Sequence, residues 1–156
     1  MDRVSLRRAT EEDFDFICQI HKSNFYSLLE AQVGWDDELE REQLSYIFRP
    51  GNDLIVVWRG NDVGYLSYEV ENDVLHIKQL ELHPDYHRQG IGSQVIVGMR
   101  FSHGLPMTLA VAKNNLAAIS FFEQVGFASE SERTITKQGK ERTAAISHLV
   151  MNIAQV

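Results

Sequence analysis

Cysteine is nearly missing from this chain. Cys18 stands alone among 156 residues, which excludes an internal disulfide and any four-thiolate zinc or iron–sulfur site and makes a reducing, cytoplasmic setting the expected one. Proline is scarce, and Pro50, Pro84 and Pro106 fall where elements should end. No linker rich in proline, glycine or serine, no repeat and no low-complexity tract interrupts the chain, so residues 1–156 are expected to form one domain. No apolar stretch approaches the ~20 residues that span a bilayer, and the start, MDRVSLRRATEEDF, lacks the apolar centre of a signal peptide. Neither membrane insertion nor export by that route is expected. Excess positive charge is lacking too. The net charge is −7, which argues against a nonspecific grip on nucleic acid, since such binding draws on phosphate neutralisation by Lys and Arg. A polyanionic ligand therefore needs a local, directed site.

What is present suits a soluble globular protein. Hydrophobic residues make up 44% of the chain, and a domain of this size buries roughly 68–70% of the surface its unfolded chain exposes. Val4 to Arg7 has the pattern of a first strand. Thr10 followed by Asp13 resembles an N-cap, and Phe14, Ile17, Cys18 and His21 recur at helical spacing, so a helix is predicted over about Glu11 to Lys22. That stripe gives Cys18 a core position. A second helix, Asp36 to Phe48, carries Leu39, Gln43, Leu44 and Ile47 on one stripe and stops before Pro50. The period then changes to that of strands: Leu54 to Trp58, Val63 to Val70 and Val74 to Leu82, separated by the turn residues Gly60-Asn61-Asp62 and Asn72-Asp73. A helix (Ile91 to His103), a strand (Met107 to Val111), a helix (Asn115 to Val125) and two last strands around Lys137-Gln-Gly-Lys140 complete the order. Meandering strands followed by strand–helix alternation imply a mixed sheet flanked by helices.

The strand Val74 to Leu82 changes phase. Its apolar residues are odd-numbered first (Leu75, Ile77) and even-numbered later (Leu80, Leu82), although a regular strand keeps one parity. A β-bulge near Lys78-Gln79 accounts for this, and it puts His76 and Glu81 on one face while freeing backbone groups for a ligand. A strand buried on both faces is the alternative.

Leu80-Glu-Leu-His-Pro-Asp-Tyr-His-Arg-Gln-Gly-Ile-Gly92 reads as a strand, a proline stop and a glycine-punctuated loop that opens a helix. Glycines let backbone N–H groups turn inward, and a helix N-terminus adds its positive dipole, so the assembly suits an anionic phosphate. Arg88 adds a full charge. The dinucleotide fingerprint fails because Val95 stands where a small residue is needed and Leu109-Ala-Val-Ala where an acid is needed; the P-loop fails because no lysine follows Gly92. Downstream, Asn115-Leu-Ala-Ala118-Ile-Ser-Phe121-Phe122-Glu-Gln-Val-Gly126-Phe127 is an amphipathic helix with Asn114 or Asn115 as cap and Gly126 as stop.

Together these two stretches resemble the GNAT superfamily of acyl-CoA-dependent N-acetyltransferases. The resemblance implies an α/β fold, a central mixed and mostly antiparallel sheet of about six or seven strands with about four helices. It also implies that the loop His87, Arg88, Gln89, Gly90, Ile91 and Gly92 wraps the CoA pyrophosphate. Leu80 to Leu82 would pair through its backbone with the pantetheine arm as an added strand does, and Asn115 and Phe122 match positions that border the cofactor arm. The Leu82 amide would polarise the thioester carbonyl. His76 and Glu81 are the two candidates for the base that the acceptor amine needs, His76 because some members carry the base at its position and because histidine titrates near neutral pH. The plain alternative is a half-exposed strand histidine and a solvated carboxylate.

Two departures stand out. His87 occupies a loop position usually held by Arg or Gln, which makes its charge pH-dependent. Phe122 stands where many members place a tyrosine that protonates the departing thiolate, and phenylalanine has no proton to give; Tyr86, Ser120 or a water are the substitutes. Asn24-Phe-Tyr26 and Val33-Gly-Trp35-Asp-Asp-Glu38, between the first two helices, match a region that borders the acceptor, where aromatic faces and carboxylates attract a cationic amine. His83, His103 and His148 lie on separate elements without metal-ligand spacing, so no metal is expected. The expectation is an acetyl-CoA-dependent N-acetyltransferase acting on a primary amine of a small molecule or peptide, with neither nucleic acid nor membrane as partner and a homodimer allowed. A CoA-binding sensor without turnover is the second expectation, kept open by Phe122.

Overall fold

In the computed structural model, which describes residues 2–155, one seven-stranded sheet runs through the molecule in the order β1-β2-β3-β4-β5-β7-β6. The strands are β1 (Ser5–Arg8), β2 (Leu54–Trp58), β3 (Asn61–Glu71), β4 (Val74–Leu82), β5 (Met107–Ala112), β6 (Ala128–Gln138) and β7 (Thr143–Ile153). The helices are α1 (Phe14–Gln32), α2 (Asp37–Ile47), α3 (Ile91–His103) and α4 (Leu116–Gln124), with short 3-10 turns at Glu11–Asp13 and Pro84–Tyr86. All neighbouring strands are antiparallel except β4 and β5. That single parallel pair follows from the α3 crossover, since parallel neighbours need a long connection.

The two faces of the sheet carry different layers. On one, Ile91, Val95, Ile96 and Met99 of α3 and Phe122 of α4 pack on Leu66, Leu75, Ile77, Leu109 and Met151. On the other, Ile17 of α1 meets Ala9, Ile55 and Tyr65, while Leu29, Val33 and Trp35 form a smaller cluster at the corner between α1 and α2. Each large aliphatic side chain buried this way contributes about 1.5–3 kcal/mol, so the periodic stripes of these helices are what holds them on the sheet.

The strand β4 carries the bulge that its parity requires. Ser67 of β3 pairs with Gln79 and Tyr68 with Ile77, so Lys78 is the extra residue, and it is exposed. Beyond it the apolar side chains return to the α3 face and Glu81 to the α1 face, the side on which His76 also lies. Helix α1 runs to Gln32, ten residues past the predicted end at Lys22. Asn24, Phe25 and Tyr26 are therefore within α1, not between helices. Ser23 donates its hydroxyl hydrogen to the Gln19 carbonyl at 3.0 Å, which satisfies the group that otherwise breaks a helix, and His21, Phe25, Leu29 and Val33 continue the inward stripe. Cys18 lies half-buried beside that stripe and not in the core.

Candidate active site

β4 and β5 pair at only two rungs, Leu75–Met107 and His76–Thr108. β5 then keeps to β7 along its whole length, from Met107 to Ala112, and β4 continues without a neighbour on that side. The direction of the freed groups follows from the pairing with β3. His83 donates its amide to the Val63 carbonyl at 2.8 Å, and antiparallel pairs alternate between hydrogen-bonded and non-hydrogen-bonded. Tyr65–Glu81 and Ser67–Gln79 are then bonded pairs, whereas Leu80 and Leu82 turn their amides and carbonyls away from β3 into the gap that β5 has left. The Leu82 carbonyl is already engaged, accepting from Asn24 Nδ2 at 2.9 Å and His87 Nε2 at 2.8 Å. The gap-facing amides of Leu80 and Leu82 remain.

The loop after β4 leads from this gap to the start of α3. Arg88 (φ 60) and Gly90 (φ 79) both adopt left-handed backbone, an arrangement that turns successive N–H groups toward one side and suits an anion. For Arg88 that conformation costs about 1–2 kcal/mol, a cost of the sort met at binding sites. No atom lies within 4 Å of where a Gly90 Cβ would stand, so the glycine serves backbone geometry and not packing. The first closure of α3 is the Gln94 amide on the Gly90 carbonyl at 3.2 Å, which leaves the amides of Ile91, Gly92 and Ser93 without a carbonyl upstream. Arg88 is exposed and makes no ion pair among the described residues. Gln89 ties the loop back to the 3-10 turn Pro84–Tyr86 by donating to the Asp85 carbonyl at 3.0 Å.

On the α1 face, Glu81 is 4% exposed and sits in a chain of charged groups drawn from four elements. His21 of α1 bridges two carboxylates, Nδ1 at 3.0 Å from Glu81 Oε2 and Nε2 at 3.2 Å from Glu40 Oε1 of α2. Lys137 of β6 donates to both Glu40 oxygens, at 2.9 and 2.8 Å, and also to Gln43. Burial disfavours the charge on His21, yet the hydrogen bonds to Glu40 and Glu81 outweigh it and push its pKa up to about 9. Burial likewise opposes charge on Glu40, and His21 and Lys137 together hold its carboxyl below the usual range. The set is two anions and two cations, so the buried charge cancels.

A family model described as "Acetyltransferase (GNAT) family" matches residues 14–127, more than half of the chain. The chain belongs to the GNAT acetyltransferase family. It is an acyltransferase on that ground. No curated protein matches it. Among solved structures, a GNAT acetyltransferase from Bacillus cereus ATCC 10987 is 17% identical with a TM-score of 0.69, covering 98% of each chain. The PaiA N-acetyltransferase from Thermoplasma acidophilum, solved in complex with coenzyme A, is 16% identical with a TM-score of 0.71, covering 97% of this chain and 99% of that one. A spermidine N-acetyltransferase from Vibrio cholerae, solved with CoA and spermine, is 20% identical with a TM-score of 0.69, covering 98% and 96%. At these identities the likeness is one of fold.

Within the GNAT fold the expected site residues separate into groups. Leu80, Leu82 and the loop Arg88 to Gly92 lie on one continuous path from gap to helix. His87 starts that loop, but its Nε2–H is given to the Leu82 carbonyl. Asn115 caps α4, accepting from the Ala118 amide at 3.3 Å. Phe122 is 8% exposed, packed edge-on against Phe121 and Phe127 at 5.1 and 5.5 Å. His76 and Glu81 share a face but not a place: His76 stands on the last rung shared with β5, opposite Glu69, and Glu81 stands where β4 is alone. Glu81 is buried and ion-paired and so is no solvated carboxylate. His21, Glu40 and Lys137 were not visible as site residues in the sequence. The one signal was a histidine and a glutamate on stripes that otherwise face the core. Among the described residues no three His, Cys, Asp or Glu gather as a metal site would require, and no helix is long and apolar enough to cross a membrane.

Proposed function

We propose that the protein is an N-acetyltransferase that passes an acetyl group from acetyl-CoA directly to a primary amine of a small molecule or peptide. The observation that carries this is the path formed by the gap-facing amides of Leu80 and Leu82 and the left-handed loop Arg88 to Gly92 at the head of α3. That path fits the cosubstrate's chemistry: an extended amide-bearing arm beside an unpaired strand, and a diphosphate on backbone N–H groups. Two of the similar structures hold CoA, one of them with spermine, which supports a CoA thioester and an amine as the reacting pair.

Acetyl-CoA, when bound, supplies an acyl carbon activated as a thioester. The chain does the rest. Amides of Arg88 to Gly92 bind the diphosphate with the Arg88 guanidinium beside them. Leu80 aligns the arm through its backbone, and the Leu82 amide donates to the carbonyl oxygen as charge develops on it. His76 and Glu81, on the α1 face, are the groups for the acceptor's proton, directly or through water. Phe122 gives no proton to the leaving thiol. General-acid help is worth typically 10²–10⁴-fold, whereas orientation supplies about 7–11 kcal/mol, so the absence of that hydroxyl slows transfer without forbidding it.

Thermal unfolding with added acetyl-CoA tests the binding half. At 100-fold over Kd a ligand stabilises by about 2.7 kcal/mol, which for this size raises Tm by roughly 5–10 °C. Gly90→Glu puts bulk and negative charge into the cradle and is expected to abolish the rise while the protein stays folded. Thiol release from acetyl-CoA over a panel of polyamines, aminoglycosides, amino acids and lysine peptides tests the transfer half. Absence of a shift at millimolar cosubstrate refutes the proposal, and a shift without thiol release on any amine leaves a CoA-binding module in place of an enzyme.

A further inference from the structure

Glu81 presents its two oxygens unequally. Oε2 is held by His21 at 3.0 Å, whereas Oε1 is buried and has no hydrogen-bond partner. A buried polar atom left unpaired costs about 1–3 kcal/mol, and the cost is concentrated here. Tyr65, directly opposite Glu81 in the β3–β4 register, and Ser67, two pairs further on, also bury hydroxyls that lack partners. Both residues are 0% exposed. Ser67 lies close enough to the Tyr65 oxygen to ease its ionisation slightly, against the strong upward push of burial, but the two do not form a hydrogen bond of good geometry. Three acceptor-capable oxygens on one face of β3 and β4 thus await a donor. Glu81 is also the residue between Leu80 and Leu82, whose amides face the gap.

The anchored oxygen is held with more apparatus than packing needs. The carboxylate rests on His21, His21 on Glu40, and Glu40 on Lys137, which reaches it from β6, 97 residues away in the chain. The His21 ring is itself fixed between aromatic neighbours, 4.9 Å from Phe25 and 5.9 Å from Trp35. Apolar residues of similar volume serve stability as well as a buried ion chain does, or better. A chain that fixes one oxygen of a carboxylate and leaves the other spare has the form of a positioning device.

We propose that Lys137 and Glu40, acting through His21, position Glu81 so that its free oxygen Oε1 accepts an N–H of the acceptor amine and orients the nitrogen toward the gap beside Leu80 and Leu82. The inference rests on the N-acetyl transfer proposed above. Glu81 is the residue that touches the acceptor; His21, Glu40 and Lys137 are positioning residues.

Lys137 is the place to test this, because its side chain lies at the outer end of the chain and its replacement spares the core. Lys137→Met and Lys137→Arg are compared with the wild type in thiol-release assays, varying acetyl-CoA and, separately, the best amine of the panel above. Lys137→Met is expected to lower kcat/KM for the amine by about tenfold, the worth of one charge-assisted contact, with KM for acetyl-CoA and the acetyl-CoA-induced rise in Tm unchanged. Lys137→Arg, which keeps the charge, is expected to recover most of the loss. Glu81→Gln, which removes the charge that holds the amine, is expected to cost more than Lys137→Met. Turnover that Lys137→Met leaves unchanged, a loss shared equally by both substrates, or a loss that arginine does not repair overturns the inference alone. A wild type that turns over no amine overturns it together with the proposal on which it rests.

Discussion

His21 is a buried histidine that stays charged at neutral pH, and the reason lies in what faces it: Glu81 from β4 and Glu40 from α2, with Lys137 from β6 behind Glu40. Burial alone would lower its pKa; the two carboxylates raise it to about 9. A raised folded-state value means that the proton stabilises the fold. That contribution is complete below the unfolded value near 6.5 and is lost as pH climbs through about 9. The shift corresponds to ~3 kcal/mol at most, or roughly 6–12 °C for a chain of this length. Glu40 sets the opposite limit, since its lowered carboxyl favours the fold above the ordinary carboxylate range and loses that contribution in acid. Melting curves between pH 6 and pH 10 on wild type and His21→Gln are expected to converge as pH rises, the wild type losing most of its advantage near pH 9. Parallel curves across that range would mean that His21 carries no proton in the folded state.

Among the elements, β4 was the most legible from sequence, because a strand with one face on a core must keep its parity and this one breaks it at Lys78. Turn residues put the end of β2 in place, Pro84 the end of β4 and Gly90 the start of α3. Such signals failed for α1, where Ser23 and Asn24 look like a stop and yet both are satisfied, Ser23 by the carbonyl one turn back and Asn24 by the Leu82 carbonyl of β4. The second of those bonds is tertiary, and no local pattern announces it. The pairing of β3 with β4 also depends on a residue that sequence pattern left unremarked. Gly64 stands opposite Leu82, and a Cβ there would lie 2.6 Å from the Glu81 carbonyl oxygen and 2.4 Å from Leu82 Cδ2. A backbone atom cannot swing aside as a side chain does. Gly64→Ala is therefore expected to cost ~3 kcal/mol and to push the end of β4 out of register. The check is a Tm lowered by roughly 6–12 °C, with acetyl-CoA binding weakened because the Leu80 and Leu82 amides move. A variant of full stability with intact cosubstrate binding would contradict that account of the strand end.

Seen as a whole, the molecule has two halves that meet at β4: α3, α4 and the Arg88 to Gly92 loop on one side, and α1, α2 and the turn end of the β6–β7 hairpin on the other. The first half was legible because its residues are close in sequence. The second was not, because His21, Glu40, Glu81 and Lys137 come together only when the corner between α1 and α2 closes on the hairpin turn. That seam is drawn tight by backbone. Lys140 donates to the Gly34 carbonyl at 3.0 Å, Glu141 and Arg142 to the Val33 carbonyl at 2.9 and 3.2 Å, and the Arg142 side chain to the Ala31 carbonyl at 2.8 Å. The approach is so close that a Cβ on Gly139 would stand 2.4 Å from the Val33 carbonyl oxygen. Gly139→Ala is expected to part the seam at a cost of about 1–3 kcal/mol. Because each 1.4 kcal/mol is tenfold in an opening equilibrium, hydrogen exchange at the Lys140, Glu141 and Arg142 amides should quicken by about 10-fold to 100-fold, while amides of the central strands keep their protection. The acetyl-CoA-induced rise in Tm should survive, since the phosphate loop belongs to the other half. Transfer to an amine should fall, because parting the hairpin from α2 pulls Lys137 away from Glu40. Unaltered exchange at those three amides, or loss of cosubstrate binding together with transfer, would show that the two halves are not separable in this way.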